Sequence, residues 1–238
     1  MIKEISLLFM NNQEIEEVHN EVTILESIDS NYVVKFHKSF NLNNKLYIVM
    51  EYCNGGDLSN LIISRKKTLY LPEETIWKYF IQICIGLSSL HNNKNMKILH
   101  RDIKSLNIFL LNDNIKIGDL GLAKKLNQNS YANTIVGTPY YLSPELCKYQ
   151  NYNEKSDIWA LGIVLYELAA LKFPFDANNQ ISLVNKILRG SHPDKIPNLY
   201  STELWNMITL LLKKDYLLRP SVNDILNNLS IYKTFNFY

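Results

Sequence analysis

HRDIKSLN, residues 100–107, decides the reading of this chain, and the residues around it follow from what it implies. Three of its side chains suit the transfer of a phosphoryl group from a nucleotide. Asp102 can accept the proton of an attacking hydroxyl, Asn107 offers an amide oxygen to Mg²⁺, and Lys104 can meet the transferred phosphate. Asp119 in DLG stands twelve positions after Asn107 and supplies a second oxygen ligand. Mg²⁺ keeps much of its hydration, so two protein oxygens completed by phosphate and water suit it better than a closed protein cage.

Outward from that stretch, the patterning predicts a strand-rich first quarter and a helical remainder. Segments 3–9, 33–40 and 45–52 alternate or run apolar like strands. Between the first two, Ile15, Val18, Val22, Leu25 and Ile28 recur at helical spacing, predicting a helix over 13–28 with Glu21 close to the apolar stripe. Gly55-Gly56 marks a break. Pro72-Glu73-Glu74 then opens a long helix carrying Trp77, Phe80, Ile81, Cys84 and Leu87 on one side. Strands near 108–111 and 115–118 bracket the hairpin signal LNDN. Helices are expected over 155–171, 180–189, 202–213 and 221–229.

Composition narrows the classes. The chain has 238 residues, enough to bury a substantial interior, and a net charge of +2. That balance points to neither a nucleic-acid nor an anionic-membrane partner. The longest apolar run, 158–171, is interrupted by Glu167 and falls short of the roughly 18 residues a membrane-spanning helix needs. Cys53, Cys84 and Cys147 match neither a metal-ligand spacing nor a disulfide framework, so a reducing compartment is expected.

HRD-x-K-x-x-N, followed by D-x-G and then GTPYYLSPE at 137–145, resembles the eukaryotic Ser/Thr protein kinases. The wording of IKEI, LYIVMEYCNGGDL, LHRDIKSLNIFL and KSDIWALGIVLYEL is most similar to the NIMA-related family. The resemblance implies an α+β, two-lobed fold. Residues 1–53 would form a truncated N-lobe of a small antiparallel sheet plus one helix, and 54–238 a mainly helical C-lobe. It implies ATP and Mg²⁺ as cofactors and protein Ser/Thr hydroxyls as substrate. The expected location is cytoplasmic, with nuclear or centrosomal sites as in the family.

The resemblance also assigns roles at a distance. Lys3 matches the strand lysine that meets the nucleotide phosphates, with Glu21 as its partner. Met50 matches the gatekeeper, and Glu51-Tyr52-Cys53 the hinge for adenine. Thr138 matches the residue that buttresses Asp102 and Lys104. Glu145 would pair with Arg219, and Asp157 would hold the backbone of the catalytic loop. Thr134 falls where the family is phosphorylated for activation, by an upstream kinase or in trans, with Arg101 as the phosphate's cation. Ser130 and Tyr131 are secondary candidates, and Leu122 is compatible with a Ser preference.

Two departures stand out. Leu120 replaces the usual Phe of DFG, so it must fill an apolar position near Leu25. The family's G-x-G-x-x-G loop, which covers the phosphates, has no counterpart here because Lys3 is the third residue. The sequence therefore reads as a kinase region without that loop, expected to hold ATP weakly. The alternative is a non-catalytic kinase-like interaction module.

Overall fold

A computed structural model of the chain describes residues 1–66, 69–94, 96–120, 139–190 and 193–228, apart from the Glu21 side chain. The first sheet is antiparallel, with strand order β1 (Ile2–Ser6), β3 (Lys45–Met50), β2 (Phe36–Leu42). In β3 the period of two is plain: Leu46 and Ile48 are buried while Lys45 and Tyr47 are not. Helix α1 (Asn12–Glu26) begins with a capping box, in which Asn11 and Glu14 satisfy each other's backbone N–H groups. Its Val18, Val22 and Leu25 close over Leu46 and Ile48 to form a first, small core.

The strand limits shift from those expected, with β3 ending at Met50 rather than 52 and β5 running Asn114–Ile117, and two of the shifts have a plain cause. β1 stops at Ser6, because its partner β3 starts at Lys45, and the next N–H, on Leu7, bonds to Asn44 in the turn. Asn43 and Asn44 both have positive φ, 50° and 56°, a backbone shape that the short polar side chain of Asn tolerates. The second strand begins at Phe36 rather than 33, because Val33 and Val34 are drawn away to pair with Ile117. A bulge at 36–38 marks the change of partner.

The remaining elements build a second core. Helix α2 (Leu58–Arg65) was not expected from the sequence, although Asp57 caps it by accepting from Asn60 N–H. Helix α3 (Glu73–His91) buries Trp77, Phe80, Ile81, Cys84 and Leu87, as its stripe predicts. The hairpin β4 (Ile108–Leu111) and β5 (Asn114–Ile117) turns at Asn112-Asp113, both left-handed, with φ of 49° and 60°. After α4 (Pro144–Cys147) comes α5 (Glu154–Ala170), buried on nearly every side and therefore apolar all round. Of the helices that follow, α7 (Thr202–Leu211) packs on α5, α6 (Gln180–Arg189) on α4, and α8 (Val222–Asn227) on α3. Gly162 lets α7 approach α5, since a Cβ there would meet Leu211 Cβ and Leu212 Cδ2 at 2.9 Å.

The result is a mixed α+β chain, as expected, with two apolar cores among the described residues. Ile28 and Leu120 pack against both. Leu120 shares the first core with Leu25, as the Leu-for-Phe departure requires. Among the described residues no helix is long and apolar enough to cross a membrane.

Candidate active site

The site is organised from the buried N-terminus of α5. Asn153 and Ser156 cap that helix reciprocally, which places Asp157 in its first turn, fully buried. The Asp157 carboxylate accepts from the backbone N–H of His100 at 3.0 Å and of Arg101 at 3.1 Å. His91 Nε2, at 2.8 Å, and the Tyr152 hydroxyl complete its partners. Burial pushes this carboxyl up, but His91, with the Tyr152 hydroxyl, outweighs that effect and holds it below the usual range. The consequence is mechanical. Arg101 is held at φ 67°, a left-handed conformation that costs a residue with a Cβ about 1 kcal/mol, and the bend presents Asp102.

His100 sets the next link. Its Nε2 donates to Gly118 O at 3.1 Å and its Nδ1 accepts from Asp102 N–H at 3.2 Å. That pair of roles requires the neutral ring, and burial pushes its pKa down in agreement.

Two donors then meet on Asp102 Oδ2, Lys104 Nζ at 2.9 Å and Asn107 Nδ2 at 2.9 Å. Asn107 Nδ2 also donates to the Asp102 carbonyl at 2.9 Å. With both amide hydrogens engaged on one side, the Asn107 oxygen is the atom left to face a cation. Gly118 N–H bonds to the Asn107 backbone carbonyl at 2.9 Å, so the chain passes Asn107 one residue before Asp119, just beyond β5. Asp119 itself is left-handed, φ 53°, and Lys3 Nζ lies 2.8 Å from its Oδ1.

One carboxylate and one amide oxygen make a donor set for Mg²⁺ that is completed by phosphate oxygens and water. Among the described residues no group of three or more His, Cys, Asp or Glu could hold a metal by itself. Asn107 and Asp119 thus supply hard oxygen donors of the kind Mg²⁺ takes.

Other expected site residues fall in varied places. Met50 packs its side chain on the first core, and its backbone exchanges two bonds with Met1. The Glu51 carboxylate turns toward Lys116 Nζ, at 2.8 Å, and toward Lys35 N–H, at 3.2 Å. Burial raises its pKa, but Lys116 and Lys35 outweigh burial and hold it low. Cys53 is half-buried, and burial, followed by the Glu51 charge, pushes its thiol up. Thr134 and Thr138 lie outside the described residues, as do Leu122, Ser130, Tyr131 and the side chain of Glu21. The expected Lys3–Glu21 pair therefore falls outside them too, and the partner the structure gives Lys3 is Asp119.

Glu145 and Arg219 form a buried, two-bonded pair at 2.8 Å and 2.8 Å. Ser156 Oγ donates to Glu145 at 2.6 Å. The guanidinium also donates to the Lys213 and Lys155 carbonyls, both at 2.7 Å, and lies 5.0 Å from the Trp159 ring.

Beside this pair, the Ser143 hydroxyl is buried and has no hydrogen-bond partner among the described residues. An unpaired buried hydroxyl is unfavourable, and an Ala side chain would remove it. Ser143→Ala is expected to stabilise the fold by about 1 kcal/mol, read as a higher urea midpoint with unchanged slope.

Sequence reasoning overlooked Ser105, Tyr141 and Glu167, which meet in one buried cluster. The signal was the lone carboxylate of Glu167 inside an apolar run, because a buried acid needs partners. It also overlooked Lys116, whose half-buried ammonium answers Glu51.

Comparison with known proteins agrees with this geometry. Residues 1–230 match the protein kinase domain family. Serine/threonine-protein kinase Nek1 of Mus musculus is 47% identical over 228 residues, covering 95% of this chain and 18% of that protein. Probable serine/threonine-protein kinase nek2 of Dictyostelium discoideum is 45% identical over 228 residues, covering 94% of this chain and 54% of that protein. Serine/threonine-protein kinase Nek2 of Homo sapiens is 44% identical over 234 residues, covering 95% and 52%. The chain thus spans about half or less of the length of these relatives.

Proposed function

Because the chain belongs to the protein kinase family, in its NIMA-related serine/threonine branch, we propose that it transfers the γ-phosphate of ATP to Ser and Thr hydroxyls of proteins. The observation that carries the reading is the convergence of Lys104 and Asn107 on Asp102, with the Asn107 backbone carbonyl accepting from Gly118 N–H one residue before Asp119. Lobes at 1–53 and 54–238 flank that centre.

Asp102 accepts the proton of the substrate hydroxyl as the hydroxyl attacks phosphorus. Lys104, already bonded to Asp102, follows the charge onto the phosphoryl oxygens, and Lys3 supplies a second cation near Asp119. Asn107 and Asp119 would hold Mg²⁺, which neutralises charge on the nucleotide phosphates when bound. Asn107 also keeps Asp102 oriented. The backbone of Glu51 to Cys53 offers groups for adenine, since the Glu51 side chain is committed to Lys116.

The test is label transfer from γ-labelled ATP to peptides carrying Ser, Thr or Tyr. Label on Ser and Thr alone is the expected result, and label on Tyr or on a metabolite instead would overturn the reading. An Mg²⁺-ATP thermal shift with no transfer to any acceptor would assign a nucleotide-binding interaction module in its place.

Activation is proposed to run through phosphorylation of Thr134, by an upstream kinase or in trans, with Arg101 as the cation. A charge-assisted hydrogen bond to such a phosphate contributes about 1.5–3 kcal/mol. Thr134→Ala is therefore expected to lower turnover about tenfold or more. Equal turnover of the phosphorylated parent and the variant would remove this step.

A further inference from the structure

Tyr216, Leu217 and Leu218 form one short turn between α7 and α8, and all three side chains are open to solvent. Leu217 is 72% exposed and Leu218 62%. Isolated apolar side chains are ordinary on a surface. Three in succession are not, because each forgoes the burial that would stabilise it.

The turn is held so that it cannot hide them. Asp215 caps it by accepting from Leu217 N–H at 3.0 Å, and the next residue, Arg219, is fixed by its buried bonds to Glu145. Ser221 then begins α8 through a reciprocal cap with Asp224. With both ends of the turn anchored, the leucines stay outward, and what covers them must come from elsewhere in the chain or from outside it.

Chain connectivity says what stands within reach. α8 starts at Val222, four residues after Leu218, and packs on α3. Its six residues span only about 9 Å, so the end of α8 stays close to the turn. Residues 229–238, LSIYKTFNFY, follow it and lie outside the described residues. Six of these ten side chains are apolar or aromatic: Leu229, Ile231, Tyr232, Phe235, Phe237 and Tyr238. Ten residues can extend about 33 Å, several times the return distance along α8.

Charge agrees with the reach. Lys233 is the one charged side chain of that segment, and the acids flanking the turn and opening α8, Asp215 and Asp224, are both exposed. Lys214, beside Asp215, is turned away to the Leu188 and Gly190 carbonyls.

We propose that residues 229–238 fold back along α8 and cover Tyr216, Leu217 and Leu218 with their aromatic side chains, Lys233 lying toward Asp215 and Asp224. A second copy of the chain fits this surface less well. Three side chains fall short of the roughly 800 Å² that a stable interface takes from each partner. A segment already tethered to the surface needs far less area, because the tether supplies a high effective concentration.

The test is photo-crosslinking of the full chain with Leu217 replaced by the photoreactive p-benzoylphenylalanine. Illumination is expected to join that side chain to residues 229–238 of the same chain, with a yield unchanged on tenfold dilution, as read by mass spectrometry of the fragments. Links between two chains, with a yield that falls on dilution, would assign the surface to a second copy and overturn the proposal. So would links to another segment, or none.

A double-mutant cycle in the full chain gives a second readout. Leu217→Ser with Leu218→Ser is expected to lower the urea midpoint by about 0.5 M, as is Phe235→Ser with Phe237→Ser. All four together should cost little more than either pair, because the shared contact is already lost. Additive losses would show that the two pairs act apart, and a midpoint unmoved by the leucine pair would show that those side chains meet only water; either sinks the proposal. Neither measurement uses phosphoryl transfer, so the outcome is independent of the kinase reading.

Discussion

Asp102→Asn is expected to reduce phosphoryl transfer by about 10²–10⁴-fold while leaving the Mg²⁺-ATP thermal shift largely intact. The substitution keeps the shape of the side chain and an oxygen that can still accept from Lys104 and Asn107. It removes only the capacity to take a proton and the negative charge that keeps Lys104 in place. Asp119→Ala is the complementary variant. It deletes the one carboxylate of the proposed metal set and releases Lys3, so both the thermal shift and the transfer should be lost. Measured side by side, the pair separates chemistry from binding. Full turnover by Asp102→Asn would remove Asp102 as the base, and an undiminished nucleotide shift in Asp119→Ala would remove Asp119 from the metal.

The second large effect concerns stability. Arg219→Ala should destabilise the chain by about 3–5 kcal/mol, because it strands Glu145 as an unpaired buried charge. The Lys213 and Lys155 carbonyls would lose their donor at the same time, and Trp159 the cation against its face. Arg219→Lys should recover little, since a lysine has no planar fork to reach two carboxylate oxygens and two carbonyls together.

The pH dependence has a definite sign. Burial raises the Glu145 carboxyl, but Arg219 and Ser156 outweigh burial and hold it below its usual value. Its stabilising contribution is therefore present above the unfolded pKa of about 4.5 and is lost as pH falls through the lower folded value. Urea denaturation at pH 7 and pH 3 checks both points. A loss under 1 kcal/mol in Arg219→Ala at pH 7 would show that the pair is solvated and contributes little.

Much of this was legible in the chain as written. LNDN gave a hairpin because Asn112 and Asp113 tolerate left-handed backbone. The stripes of α1 and α3 gave their buried faces, and Gln180–Arg189 was delimited to the residue because Asn179 caps its start and Gly190 follows its end. Helix α2 was overlooked although Asp57 marks its start, since eight residues give little periodicity. The strand limits slipped for another reason. Where β1 ends and β2 begins depends on the neighbour they pair with, and no residue within them encodes that neighbour.

HRDIKSLN divides in the same way. Its side chains fix the chemistry on offer, because a carboxylate, an amide and an ammonium keep their acid–base and ligand properties wherever they sit. What they meet was decided only in three dimensions. Arg101 bends because Asp157, on a helix more than fifty residues later, accepts two backbone N–H groups. Lys3 reaches Asp119 across the two cores, Glu51 turns to Lys116, and Ser105 closes a ring with Tyr141 and Glu167. Each is a hydrogen bond or ion pair between residues distant along the chain. Their strength comes from burial and geometry supplied by the packed core, which local sequence periodicity does not carry.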